Sequence, residues 1–291
     1  MNSFIDVYNE MLSILKKNSA ITIFNAKFSI KEIFSKVLNV KKQDLFLEFS
    51  DFDKILTVDQ IDEIKKMVER RFENEPLDYI LGFLDFYGAR IFVDENVLIP
   101  RVETELLVDH ICKILENLEN LENKVLFDVC TGSGCIGIAI KKKFPKLKVI
   151  ISDISPDALK IAKKNVLIND VDIEIKSGDL LTPFLKDCLK ADFFVCNPPY
   201  ISKNEYDSLD ISVKDFEPKK ALTPGETGLE IYKRLSNDLK NVLNKNAKIF
   251  LEIGYLQKEQ IFKIFDKANF KNSKIVLDYS NKDRFFFSEI V

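Results

Sequence analysis

"KVLFDVCTGSGCIGIAI", residues 124–140, is the stretch on which the fold turns. Val125–Val129 is a short β-prone run, mostly apolar, with Asp128 set inside it. Gly132, Gly134 and Gly137 then follow as G-x-G-x-x-G, and apolar residues able to continue as a helix come next. A strand that passes through a glycine turn into a helix opens a strand–helix–strand unit. Glycine allows the tight turn and lets backbone approach a ligand with no Cβ in the way. The helix start behind it offers free N–H groups.

The next apolar run, "VIISDISPDA", ends a strand at Asp153, a carboxylate placed to take two ribose hydroxyls. This pairing suits NAD, FAD or S-adenosylmethionine. Asp128 tilts the choice. An acid just before the turn repels a pyrophosphate and favours a ligand that carries a sulfonium and an ammonium. In "IKSGDLLTPF", after the third strand, Asp179 is placed to accept from an adenine amine, with Leu180 beside the ring.

Strands are expected near 125–129, 148–152, 172–176, 192–196, 248–253, 274–279 and 285–290, with helices between most of them. Such alternation, with short, near-continuous apolar strands, predicts an α/β fold with a parallel sheet. The last two strands are joined only by "SNKD", a connection that forces an antiparallel pair. Upstream the pattern changes. "FIDVYNEMLSILKKN" carries Ile5, Tyr8, Met11, Leu12 and Leu15 at helical spacing. "SIKEIFSKVLNV" gives a second helix with Ser29 as a candidate N-cap, and "KKQDLFLEF" a short third. A further helix opens at Thr57 with Gln60 three residues on, the capping-box offset. We therefore divide the chain into a helical domain (1–75), a hairpin linker (76–101) holding Gly82 and Gly88, and an α/β domain (102–291).

The 291 residues are 46% hydrophobic, enough for a sizeable core. A net charge of −3 and a pI near 5.6 lack the basic footprint of a protein that grips nucleic acid over a broad face, so no stable nucleic-acid partner is expected. The basic run "KKKFPKLK" at 141–148 reads as a solvated face. Five scattered cysteines without a C-x-x-C read as reduced thiols of a reducing compartment. The single histidine, His110, disfavours a histidine-based metal site or a Ser-His-Asp triad. With no signal sequence and no membrane-length apolar run, the expectation is a cytoplasmic protein with no membrane partner and no metal.

"DFFVCNPPYISKNEYDSL", residues 192–209, carries the chemistry. Its strand stops at Asn197-Pro198-Pro199-Tyr200, because proline lacks the N–H that a ladder needs. In an open α/β sheet ligands lie beyond the carboxyl ends of the strands, so this turn faces the crevice of Gly132 and Asp153. The Asn197 side-chain oxygen and the Pro198 carbonyl are two acceptors with no proline N–H to compete. They match a planar NH2 group, and Tyr200 can lie on its face. Acceptors on both hydrogens favour charge building on a nitrogen whose lone pair is otherwise delocalised.

The tetrapeptide resembles the motif of amino-group methyltransferases that act on exocyclic adenine amines or glutamine amides. "EPLDYILGFLDFYG", "VLIPRVETELLV", "DVCTGSGCIGIAI", "VIISDISPDAL", "NPPYI", "FEPKKAL", "GLEIYKRL" and "LEIG" occur in order. Together they resemble the release factor glutamine methyltransferases, the HemK/PrmC family, over nearly the whole chain. That resemblance implies a seven-stranded Rossmann-like sheet behind a helical domain that helps bind a peptide-chain release factor. It implies S-adenosylmethionine as cofactor and N5-methylation of the glutamine in a Gly-Gly-Gln motif. The cofactor contacts it implies are Cys130, Thr131, Gly132, Ser133, Gly134, Asp153, a position near Leu180, and Asn197. Asn197, Pro198, Pro199 and Tyr200 hold the substrate glutamine, with a substrate role or a linking salt bridge for Arg101 and Glu105. The sequence departs from the family at Cys130, where glycine is frequent, at Val102 and Glu103 in "PRVETE", and at Leu180, where many members carry an aromatic residue. A ribosomal-protein glutamine or a nucleic-acid amine is the alternative target; a nicotinamide-dependent oxidoreductase is disfavoured by Asp128 and the Pro-Pro turn.

Overall fold

A computed structural model describes residues 3–48, 55–268 and 270–290. The chain forms two compact units. One runs up to Gly82 and also takes Asp210–Phe216; the other comprises Phe83–Leu209 and Glu217–Val291.

The first unit is helical: α1 (Phe4–Leu15), α2 (Ile23–Leu38), α3 (Leu45–Glu48), α4 (Val58–Phe72) and α5 (Leu77–Leu81). In α1, Phe4, Val7, Tyr8, Met11, Leu12 and Leu15 form the inner stripe; four of the residues read at helical spacing lie on it, while Ile5 stands at its edge, only partly buried, and Phe4 and Val7 take its place. Thr57 and Gln60 complete their capping box, each side chain accepting from the other's backbone N–H at 3.2 and 3.0 Å. Ser29 is not an N-cap. Helix α2 starts earlier, capped by Thr22, and Ser29 lies on its inner stripe one turn after Ala26, where its hydroxyl accepts from Arg71 Nε. The third predicted helix is the short α3; Phe49 at its end lies outside the described residues. Residues 77–81, read as part of a β-prone linker, form α5 instead. Pro76 opens it, and Gly82 at φ +74° closes it by donating to the Asp78 carbonyl.

The second unit opens with a hairpin, β1 (Phe83–Phe86) and β2 (Ala89–Phe92), turning through Tyr87 and Gly88 at positive φ. It continues with α6 (Val102–Glu116), β3 (Val125–Val129), α7 (Cys135–Lys143), β4 (Lys148–Asp153), α8 (Pro156–Ile168), β5 (Glu174–Ser177), α9 (Thr182–Lys186) and β6 (Ala191–Cys196). After α10 (Lys203–Asp207) the chain contributes α11 (Ile211–Lys214) to the first unit. It returns through α12 (Lys219–Leu222), α13 (Glu230–Asp238), β7 (Leu243–Glu252), α14 (Lys258–Lys267), β8 (Lys271–Leu277) and β9 (Asp283–Glu289).

Seven strands form one sheet in the order β5-β4-β3-β6-β7-β9-β8. All pairs are parallel except those of β9, which runs antiparallel to β7 and β8. The architecture is therefore the Rossmann-like α/β sheet expected from the sequence, with its antiparallel last pair. Strand β7 begins at Leu243 rather than 248, because a register irregularity opposite Ala191–Phe193 lets its polar "NKN" stay in the strand. Phe127, Ile150, Phe194, Tyr232, Ile249 and Phe286 belong to the large buried cluster under the sheet. His110 lies in α6 with its ring edge-on to Phe285 and Phe287, a packing position.

The chain builds outward from β3 in both directions, through β4 on one side and β6 on the other. That reversal is the topological switch point, where a crevice opens beyond the strand ends. Asn165, fully buried in α8, ties the hairpin to this region. Its side chain accepts from Phe92 N–H at 2.7 Å and donates to the carbonyls of Phe92 and Ser133. Gly137 lets α7 lie against the sheet; a Cβ there would meet Ile151 Cγ2 at 2.6 Å. Gly137→Ala therefore should cost about 1–3 kcal/mol, read as a lowered midpoint in denaturant. A midpoint equal to wild type would contradict this packing role.

Candidate active site

A cavity of about 600 Å³ lies at the carboxyl ends of the central strands. Val129 and Cys196 are paired in the β3–β6 register, so the glycine turn and the Asn197–Tyr200 turn leave the sheet side by side. In the glycine turn, Cys130, Gly132 and Gly134 have φ of +58°, +55° and +84°. Cys130 thus holds a side chain in the left-handed region, a conformation disfavoured for any residue with a Cβ and open to glycine. Gly132 faces open space, with nothing within 4 Å of where its Cβ would stand. Cys130, Thr131, Gly132 and Ser133 line the cavity, whereas Gly134 sits behind it as the N-cap of α7.

Asp128 does not line the cavity. It is fully buried beneath the turn, where Oδ2 accepts from Thr131 Oγ1 and from Gly137 N–H at 3.0 Å. Burial pushes its carboxyl up to about 7, against the opposing pull of those two donors. Its part is to brace the turn from below. Asp153 does line the cavity. One of its oxygens accepts from Gly132 N–H and the other from Ser155 N–H, both at 2.9 Å. These bonds fix the carboxylate plane, and burial raises its pKa above the ordinary value. Beside it, the buried hydroxyl of Ser152 has no partner among the described residues. Asp179 and Leu180 complete that wall. Asp179 Oδ2 accepts from Arg234 at 2.5 Å, so one of its oxygens is already engaged, by a residue that sequence reasoning missed. Leu180 is buried, with φ +48°.

At the second turn, Asn197 and Pro199 line the cavity; Pro198 and Tyr200 are not among its lining residues. The turn is held from behind. Gln257 donates to the Tyr200 and Gly228 carbonyls and accepts from Gly254 N–H. Gly228 is required there: a Cβ would stand 2.2 Å from the Tyr200 carbonyl oxygen. Asn197 Nδ2 donates to Thr104 Oγ1 at 3.2 Å, and Thr104 Oγ1 donates to Glu252 Oε2 at 2.8 Å. The Tyr200 hydroxyl donates to Glu252 Oε1 at 3.1 Å and accepts from Arg284 at 3.4 Å. Glu252 is buried, which raises its pKa, while Thr104, Arg284 and Tyr200 pull it down. None of Thr104, Glu252 or Arg284 was singled out from the sequence. The available signal was an acid closing the apolar run "IFLE" at a strand end.

Arg101 and Glu105 do not pair with each other. Arg101 bonds the buried Glu217 at 2.5 Å, joining "LIPR" to "FEP", and Glu105 accepts from Tyr87 N–H at 3.2 Å. Neither lines the cavity. The basic run is largely engaged locally. Lys141 donates to the Pro145 and Leu147 carbonyls, Lys142 to Asn169, and Lys143 and Lys148 pair with Glu116 and Glu174. Among the described residues no helix is long and apolar enough to cross a membrane.

Residues 7–82 match the family described as PrmC N-terminal domain, and residues 104–264 the methyltransferase small domain. A release factor glutamine methyltransferase of Chlamydia trachomatis serovar D is 41% identical over 224 residues, 77% of this chain and 75% of its own. Its counterpart from Thermodesulfovibrio yellowstonii is 36% identical over 258 residues, 87% and 89% of the two chains. Among solved structures, the hMettl16 catalytic domain superposes with a TM-score of 0.55 at 16% identity, covering 80% of this chain and 81% of that one, a likeness of fold alone. The chain belongs to the release factor glutamine methyltransferase family.

Proposed function

We propose that this chain transfers the methyl group of S-adenosylmethionine to the side-chain nitrogen of the glutamine in the Gly-Gly-Gln motif of a peptide-chain release factor, in the cytoplasm. The observation that carries the reading is the orientation of Asn197. Its NH2 end is turned to Thr104, to which it donates, so its side-chain oxygen is the end left to accept a substrate hydrogen.

The cavity fits the cofactor on several counts. Gly132 leaves backbone open where a ligand must come close. Asp153 presents a carboxylate, pre-oriented by two backbone N–H groups, to a pair of ribose hydroxyls. Ser152 offers a buried hydroxyl without a partner among the described residues. Asp153 and Asp157 make one part of the wall acidic, with Lys219, Lys220 and Arg234 elsewhere on the lining, and about 600 Å³ is ordinary for a small-molecule site. When bound, the cofactor supplies an electrophilic methyl on a cationic sulfur.

The chain's own residues act on the amide. Asn197 Oδ1 and the Pro198 carbonyl accept its two hydrogens, which raises electron density on nitrogen and fixes its direction. Tyr200 braces the turn through its hydroxyl and its backbone carbonyl. Arg101 and Glu105 hold the polypeptide around the site through Glu217 and Tyr87. No separate base is needed, because the nitrogen becomes acidic once methylated.

Incubation of the protein with a release factor and methyl-labelled S-adenosylmethionine should place label in the factor. Replacing the Gly-Gly-Gln glutamine should abolish it, and label that survives that replacement, or appears instead on a ribosomal protein or a nucleic acid, sinks the reading. Asn197→Ala should lower kcat by about 100-fold or more while cofactor affinity holds. Asp153→Ala should do the reverse, weakening cofactor binding first. Equal effects of the two substitutions on both quantities would contradict the assigned roles.

A further inference from the structure

Glu252 is a buried acid on which two cavity-side elements converge, and the methyl-transfer chemistry leaves it without a direct task. It closes β7, 1% exposed, with Thr104 of α6 on one oxygen and Tyr200 on the other. An ionised carboxylate only accepts hydrogen bonds. The Thr104 proton must therefore go to Glu252, and Thr104 Oγ1 can offer Asn197 nothing but a lone pair. Asn197 must answer with its NH2. On the other branch, Arg284 donates to the Tyr200 oxygen, which sends the Tyr200 proton to Glu252 as well. The Glu252 carboxylate thus sets the direction of the Thr104–Asn197 branch, and Arg284 that of the Tyr200 branch.

We propose that Glu252 and Thr104 are positioning residues that decide which end of the Asn197 amide faces the cavity. An amide can turn over at little steric cost, since its oxygen and nitrogen are nearly the same size. Only the polarity of its partner distinguishes the two orientations. With the oxygen outward the turn offers an acceptor to the substrate NH2; with the nitrogen outward, two donors would oppose each other. Glu252 acts two hydrogen bonds away from the substrate. This inference rests on the glutamine-methylation reading above and deepens it.

Two nearly isosteric substitutions test it. Thr104→Val removes the hydroxyl and keeps the shape. Glu252→Gln removes the acceptor from one of the two branches. With the new amide oxygen held by the Tyr200 hydroxyl, whose own oxygen takes Arg284, the NH2 falls opposite Thr104 and lets the Thr104 proton turn to Asn197. Each should lower kcat on a release factor by about 100-fold, the scale of one lost positioned hydrogen-bonding group, with cofactor affinity by calorimetry unchanged. Thr104→Ser restores the hydroxyl and should bring turnover back near wild type. Melting curves identify any variant that does not fold, and the other substitution then decides. Wild-type kcat in Thr104→Val or in a folded Glu252→Gln, a Thr104→Ser variant as slow as Thr104→Val, or a loss explained by weaker cofactor binding overturns the proposal. Wild-type protein inactive on release factor in the same assay instead overturns the functional reading, and the positioning role falls with it.

Discussion

The pairing of β3 with β6 is the constraint on which the rest depends. Parallel strands require a crossover, and here β3 has one neighbour reached by the first crossover and the other reached by a later one. Their connections leave in opposite directions and open the crevice. Val129 opposite Cys196 puts the two following turns, Cys130–Gly134 and Asn197–Tyr200, at the same height and on the same edge. Slipping β6 by a residue would shift the Asn197 turn along the edge relative to the glycine loop. The register is held by what lies on each side: Phe127 and Phe194 within the buried cluster, and Gly137 letting α7 close on β4.

Three acids stand at or near the strand ends around this crevice, and their surroundings give them different work. Asp128 is sealed under the glycine turn and holds it through Thr131 and Gly137. Asp153 reaches the cavity and takes one backbone N–H on each oxygen, which leaves a lone pair on each for a ligand. Glu252 is covered, and its donors are side chains of α6 and of the second turn. Removing a carboxylate from water is costly unless donors replace the water. In each case the compensating donor belongs to a part of the site that has to be positioned. At Asp153 and Glu252 both oxygens are met in this way, whereas Asp128 Oδ1 has no partner among the described residues and burial pushes that carboxyl up to about 7.

This explains what the sequence reveals and what it hides. The strand–glycine turn–helix unit, Asp153 at the end of the next strand, and the Asn-Pro-Pro-Tyr stop are legible because each depends on neighbours in the chain. So is the capping box at Thr57 and Gln60. The contacts that set the orientation of the site join distant positions. Thr104 and Glu252 are 148 residues apart, and Arg101 and Glu217 are 116 apart. Asn165 clamps the hairpin from 73 residues away. Ser29 misled as a helix start because serine signals a cap only where the backbone is still extended, and α2 had already begun at Ile23. The short α5 was hidden by aromatic, β-prone residues whose backbone is set by Pro76 and Gly82.

The central claim is that the second turn receives a glutamine amide through acceptors, with Asn197 presenting oxygen. A crystal structure of the protein with S-adenosylhomocysteine and a glutamine-containing release factor peptide tests it most directly. The account predicts the glutamine nitrogen within hydrogen-bond distance of both Asn197 Oδ1 and the Pro198 carbonyl, with Asn197 Nδ2 still on Thr104. A glutamine side chain seated away from this turn, or an Asn197 that has left Thr104 to present its NH2, would contradict it.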